Sequence, residues 1–226
     1  MTFSIAARCV RTGEFGVAVS SSSPAVAARC AYVRAGVGAA CSQNVTDPRL
    51  GPALLDALAD GAGAEEAVKR LADAEPHAAW RQLTAVGVRG VPAQHSGSGT
   101  LGVYAHAVGA DVVAAGNLLA DPGVPAAMAE AFATSPDAPL GLRLTNALAA
   151  GAAAGGEAGP VHSAGLLIAA DVPWPVTDLR VDWTDGDPVA ELAALWRRWE
   201  PQCADYVRRA LDPGAAPGYG VPGDPA

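Results

Sequence analysis

A threonine stands second in the chain, directly behind the initiator methionine, and opens the segment MTFSIAAR. Thr2 is small enough for Met1 to be removed. Removal would leave a hydroxyl beside a free α-amine at the head of an apolar strand. A hydroxyl next to its own amine is one of the few ways to activate a weak oxygen nucleophile without a histidine. An α-amine titrates near ~8 in model compounds, so a useful share of it is neutral at pH 7 and can act as a base. Taken alone, Thr2 is equally a β-branched residue that suits the start of a strand.

Other residues could serve such a nucleophile. Ser20 to Ser23 form a run of hydroxyls ended by Pro24. Ser21 and Ser22 are candidates to bind polar atoms of a substrate, against the plainer reading of a polar turn. Arg29 and Arg34 follow in a chain with only 15 Lys and Arg. A pair of guanidinium forks could hold a substrate carboxylate, or each could form a surface ion pair. Gln43 and Asn44 lie in what reads as a polar loop, 42–48, and are candidate substrate contacts. Asp47 ahead of Pro48 reads as a helix start. Asn117 behind Gly116 could donate its amide to an oxyanion, or merely satisfy its own turn. His162 and Ser163 are adjacent, so as strand neighbours they point to opposite faces and do not form a triad by themselves. His162 could still act as an acid or base at Thr2, with Glu157 as a second candidate base.

The elements that must position these residues alternate between strand and helix patterns. Residues 2–10 and 14–20 read as a hairpin, with Thr12-Gly13-Glu14 as its turn. Residues 31–34 and 38–41 read as a second short pair. Leucines at 50, 54, 55 and 58 mark a helix over 49–60, and 64–74 reads as its antiparallel partner. Four strands are expected over 80–88, 91–96, 103–108 and 112–118, joined as one antiparallel meander. Helices are expected over 122–133 and 140–150, and a small-residue loop over 151–159. Strands follow over 163–170 and 178–183. Asp187-Pro188 opens a last helix that Pro201 is expected to kink or break. The sum is two antiparallel sheets and two helix pairs in one domain over 1–211, followed by a Pro/Gly-rich tail over 212–226 that is either disordered or an arm on a partner.

Composition narrows the function. The net charge of −8 argues against nucleic acid, which needs a basic face to displace counterions, and against an anionic membrane surface. Half of the residues are hydrophobic but only 5% are aromatic, so Ala, Val and Leu fill the core, which suits closely packed layers. No run of eighteen apolar residues marks a membrane span, and no leader is expected, so a cytoplasmic location is the default. The four cysteines, Cys9, Cys30, Cys41 and Cys203, have no metal-ligand spacing and read as buried thiols. The stretch GAAAGGEAG lacks the lysine and preceding strand of a phosphate loop. No metal and no cofactor are expected.

MTFSIAAR, TGEFGVAVSSSSPAVAARC, SQNVTDPRLGP, VAAGNLLADPGVPAAM and HSAGLLI…DLRVDW, in that order and spacing, resemble the DUF1028 proteins, a family of poorly assigned function placed with the N-terminal nucleophile hydrolases. The resemblance spans nearly all of residues 1–222. It implies an α+β fold, a four-layer αββα sandwich of two antiparallel sheets. It also implies hydrolysis of an amide-like bond by the mature N-terminal residue, which here is Thr2. The chain departs from the pattern at Ser22, where many relatives carry a lysine or arginine, and at 158–160, an uncharged stretch before the late strand.

The leading expectation is a cofactor-free hydrolase of a small-molecule amide acting through Thr2 after loss of Met1. The alternatives are an enzyme on the same fold using Glu157 or His162 as base with Met1 retained, and a non-catalytic small-ligand binding or assembly protein. A homodimer is expected, with the Trp196/Trp199 helix and the tail as the uncovered apolar surface.

Overall fold

A computed structural model describes residues 2–223. Met1, on which the processing expectation rests, lies outside the described residues, as do 224–226 at the end of the expected tail. The chain runs β1 (Thr2–Arg8), β2 (Phe15–Ser21), α1 (Ala27–Cys30), β3 (Ala31–Arg34), β4 (Gly38–Asn44), α2 (Leu50–Ala59) and α3 (Ala64–Ala74). After a short 3-10 turn at Ala78–Trp80 come β5 (Arg81–Gly87), β6 (Ala93–Ser96), β7 (Ala105–Val108), β8 (Val112–Asn117), α4 (Val124–Ala133), α5 (Leu140–Ala153), β9 (Ser163–Ala169), β10 (Pro175–Val181) and α6 (Pro188–Leu211).

These elements build a four-layer αββα sandwich. One sheet has six strands in the order β10-β9-β2-β1-β8-β7, the other four in the order β3-β4-β5-β6, all paired antiparallel. Helices α4, α5 and α6 cover the outer face of the larger sheet, and α2 and α3 cover the smaller one. The inner faces meet through β1, β2 and β8 against β4 and β5. Strand alternation sorts the side chains. Phe3, Ile5 and Ala7 pack under the helices with Met128, Leu144 and Leu192. Ala6, Val17 and Val19 face inward against Ala39, Cys41 and Val86. The layers approach closely because the residues are small. At Gly165 on β9 a Cβ would stand 2.3 Å from the Cβ of Ala27, so only glycine lets α1 lie there.

Several expectations are corrected. The strands over 80–118 are not one meander: β5–β6 complete the small sheet and β7–β8 the large one, so the chain crosses between sheets after Ser96. Apolar alternation reads the same on either sheet, which is why the crossing leaves no sequence signal. Ser42, Gln43 and Asn44 belong to strand β4 rather than a loop, because their backbones pair with Leu83, Gln82 and Arg81. Helix α6 continues through Pro201. It begins as expected, with the Asp187 carboxylate accepting from the N–H groups of Val189 and Ala190. Trp196 is no surface residue: it is buried in the core against Gly141 of α5. The described part of the tail folds back on α6, where Arg209 donates to the carbonyls of Pro217 and Gly218 and lies 4.1 Å from the Tyr219 ring centroid.

Candidate active site

The inner face of the large sheet changes character along its length. Its middle is apolar, through Ala6, Val17, Val19, Val113 and Leu167, and at the Arg8 end the guanidinium pairs with Asp111 and donates to the Gly87 and Val88 carbonyls. At the opposite end, one row across four strands is polar throughout. Thr2 on β1 pairs with Asn117 on β8. On its other side the register Phe3↔Ser20 brings Ser21 of β2 beside Thr2, and Ser21 pairs with Ser163 of β9. Alternation turns all four side chains inward, on the same face as Ala6, Val17, Val113 and Leu167. The row is closed to solvent: Thr2 is 4% exposed, and Ser21, Asn117 and Ser163 are wholly buried.

The small sheet answers this row with glutamines. Ser4, one turn of the pleat inside Thr2, donates to Gln43 Oε1 at 2.7 Å. Gln43 Nε2 donates to Gln82 Oε1 at 2.8 Å and to the Ala115 carbonyl at 3.2 Å. Gln82 Nε2 donates to the Gly116 carbonyl and to Ser96 Oγ. Asn117 Nδ2 donates to the same Gln82 Oε1 at 3.0 Å, and Asn117 Oδ1 has no partner among the described residues. A buried acceptor left unpaired costs about 1–3 kcal/mol, so this atom calls for an explanation. Deeper in the same layer, burial pushes the Cys41 thiol up to about 12, and Thr84 Oγ1 beside it is likewise buried with no partner among the described residues. Cys41 is therefore a closed thiol and not a nucleophile at neutral pH.

Glu157 crosses the end of the row. It forms a β-bridge with Leu119, just beyond Asn117, and both carboxylate oxygens accept from the N–H of Ser22, just beyond Ser21, at 3.1 and 3.2 Å. Because Thr2 lies between Asn117 and Ser21, Glu157 flanks the end of the sheet where β1 begins, its backbone on the Leu119 side and its carboxylate on the Ser22 side. Burial raises its pKa above the ordinary glutamate value, and the Ser22 hydrogen bonds and nearby His162 offset part of this. His162 Nδ1 donates to the Thr184 carbonyl at 2.8 Å, and the ring stacks on Trp183 at 4.2 Å between centroids. That bond places a hydrogen on Nδ1, because a carbonyl only accepts. The serine loop is pinned from both sides: Ser163 Oγ donates to the Ser23 carbonyl, and Ser21 Oγ accepts from the Ser23 N–H.

Backbone strain concentrates here. The non-glycine residues with positive φ among those described are Ala25 at 50°, Asn44 at 73° and Leu118 at 51°. Asn44 ends β4, Leu118 directly follows β8, and Ala25 follows the serine loop. Such conformations persist where the surrounding structure fixes them, and they gather at functional sites. Asn44 is held by donating to the Trp80 carbonyl and accepting from the Leu101 N–H.

Thr2, Ser21, Ser22, Gln43, Asn117, Glu157, His162 and Ser163 thus gather at one end of the sandwich, with Asn44 at its rim. The two arginines do not join them. Arg34 pairs with Asp56 at 2.8 Å and sits opposite Gly38, at the far end of β4 from Gln43. Arg29 turns back to the carbonyls of Pro24 and Ala25. Asp47 accepts from the Arg49 N–H and guanidinium, the role of a helix start. Sequence reasoning missed Ser4 and Gln82. Ser4 shares Thr2's parity on β1, a signal that was available. Gln82 alternates with Leu83 exactly as a solvent-facing residue would. A cavity of about 500 Å³ lined by Arg8, Phe15, Val88 and Asp171 lies at the opposite end.

This sandwich, with a buried polar row at the head of its central strand, defines an αββα protein of two antiparallel sheets. The chain belongs to the DUF1028 family, a family of unknown function, which it matches over residues 2–192. The crystal structure of a DUF1028 protein from Silicibacter pomeroyi is similar, with 31% identity, a TM-score of 0.83, and 92% of this chain and 94% of that chain covered. Two Anbu structures align more loosely at 13% identity. A Gly-1 mutant from Hyphomicrobium sp. strain MC1 has a TM-score of 0.49 over 93% of this chain and 96% of that chain. Anbu (ancestral beta-subunit) from Yersinia bercovieri has a TM-score of 0.45 over 91% and 97%. A comparison with curated proteins gives no match.

Proposed function

We propose that the protein is a cofactor-free hydrolase of a small-molecule amide that uses Thr2 as nucleophile once Met1 is removed. The observation that carries this reading is the buried polar row Asn117–Thr2–Ser21–Ser163 at the head of the central strand. Thr2 Oγ attacks the amide carbonyl and its proton passes to the α-amine. The tetrahedral intermediate collapses, the C–N bond breaks, and the proton leaves on the departing amine. Water then attacks the acyl-threonine ester, the α-amine takes the proton from water, and the hydroxyl of Thr2 is restored as the carboxylic acid departs. The oxyanion falls to backbone N–H groups, because Asn117 commits its Nδ2 to Gln82. Ser21 and Ser163 contact the substrate, and Gln43 holds Ser4 beneath it. The row is buried, so a local opening must admit substrate, a motion many enzymes use.

The test is hydrolysis of a panel of small fluorogenic amides. Thr2→Ala is expected to abolish turnover while leaving the melting temperature within a few degrees; full activity in that variant contradicts the proposal. A second reading keeps Met1 and uses Glu157 as base. Its support is that the carboxyl is 5% exposed with a raised pKa, as general bases often are. Glu157→Gln separates the two: a loss of 100-fold or more, the order that a general base supplies, favours the second reading, and retained turnover favours Thr2.

No helix among the described residues is long and apolar enough to cross a membrane, and the cysteines are free thiols. A homodimer through the outer face of α6 is also proposed, on the exposed Leu195, Tyr206 and Leu211. Light scattering giving a monomer mass would contradict it.

A further inference from the structure

We propose that Asn117 is the positioning residue for the α-amine of Thr2, its Oδ1 accepting a hydrogen from that amine in the processed chain. The inference rests on the Thr2 reading and explains an acceptor that the Gln43–Gln82–Asn117 chain leaves unused. Asn117 is wholly buried and directly opposite Thr2 in the β1–β8 register. Its orientation is fixed. Gln82 Nε2 is held by the Gly116 carbonyl and Ser96 Oγ, so Gln82 Oε1 faces the two amides of Gln43 and Asn117. Turning the Asn117 amide over would set oxygen against oxygen. The unpartnered atom is therefore an acceptor, and it needs a donor.

A carbonyl oxygen at this place would repel an oxyanion and attract an amine. Loss of Met1 turns the single peptide hydrogen on the Thr2 nitrogen into the several hydrogens of an amine. One of them bonded to Asn117 Oδ1 stops the nitrogen from rotating and leaves its lone pair for the Thr2 hydroxyl proton. The Ser4–Gln43–Gln82–Asn117 chain then acts as a rigid mount, tying the amine to both sheets.

The test is the pH profile of kcat/KM for the processed enzyme on an amide found in the panel above. The acid limb reports the α-amine. Asn117→Leu removes an acceptor that favours the ammonium, so the limb moves to lower pH and kcat falls about 10-fold or more. Asn117→Asp puts a negative charge beside the amine, so the limb moves to higher pH by roughly one unit or more. A purely structural role would move neither limb. Should either variant fail to fold, a crystal structure of the processed wild-type chain decides. Thr2 N within about 2.7–3.2 Å of Asn117 Oδ1 supports the inference, and a water filling that place overturns it. An inert Thr2→Ala with both acid limbs unmoved sinks this inference alone. A retained Met1 with an active Thr2→Ala sinks the nucleophile reading and this inference with it.

Discussion

At the scale of single residues, two carboxylates in this fold titrate in opposite directions for legible reasons. Glu157 is raised above 4.5 by burial, so the folded chain holds its proton more tightly than the unfolded chain does. The stability it contributes is complete below 4.5 and is lost as pH rises through the raised value. Glu157→Gln removes that loss. The melting temperature of the variant relative to wild type is expected to be higher at pH 7 than at pH 4, as calorimetry at the two pH values can check. Asp47 behaves the other way. The Arg49 hydrogen bonds pull its pKa from 3.8 to about 2, so its stabilisation is complete above 3.8 and lost as pH falls through about 2. Asp47→Asn should therefore lower the melting temperature at pH 6 and converge with wild type near pH 2; a gap that stays constant across that range contradicts the assignment. The sequence displayed Thr2, Asn117 and Glu157 as chemical types. It did not display which atom of each is spent. The committed Nδ2 of Asn117 and the bonded Arg34 follow from partners 35 and 22 residues away.

At the scale of elements, the candidate site depends on strands β1, β2, β8 and β9 reaching one level. Asn44 closes β4 with a positive φ and joins the Trp80 carbonyl to the Leu101 N–H. Asn44→Ala keeps the strained backbone and deletes both bonds. A loss of about 1–3 kcal/mol is expected, with faster hydrogen exchange at Leu101; an unchanged exchange rate there would show that the segment is held by something else. On the far side of the large sheet, α5 and α6 meet at Gly141, where a Cβ would stand 2.4 Å from the Trp196 ring. Gly141→Ala should cost about 1–3 kcal/mol through overpacking, measured by denaturant unfolding, and a neutral result would mean that α6 shifts freely. Helix α3 was legible to the residue because its glutamates and apolar stripe agree. The extent of β4 was not, because Ser42, Gln43 and Asn44 look like a loop until β5 pairs with them.

At the scale of the molecule, the αββα order follows from small residues that let layers approach, and from a large sheet whose inner face carries a buried polar row at the Thr2 end. The layered architecture was legible from the alternation of strand and helix patterns and from the family resemblance. The crossing between sheets after β6 and the burial of Trp196 were not, because they are decided by contacts between distant segments. The account predicts that the whole sandwich serves one residue, and that this residue acts only at a free N-terminus. Intact mass spectrometry of the purified protein tests this most directly. A mass equal to the chain from Thr2 onward is predicted; a chain that keeps Met1 in full and still hydrolyses an amide would contradict it.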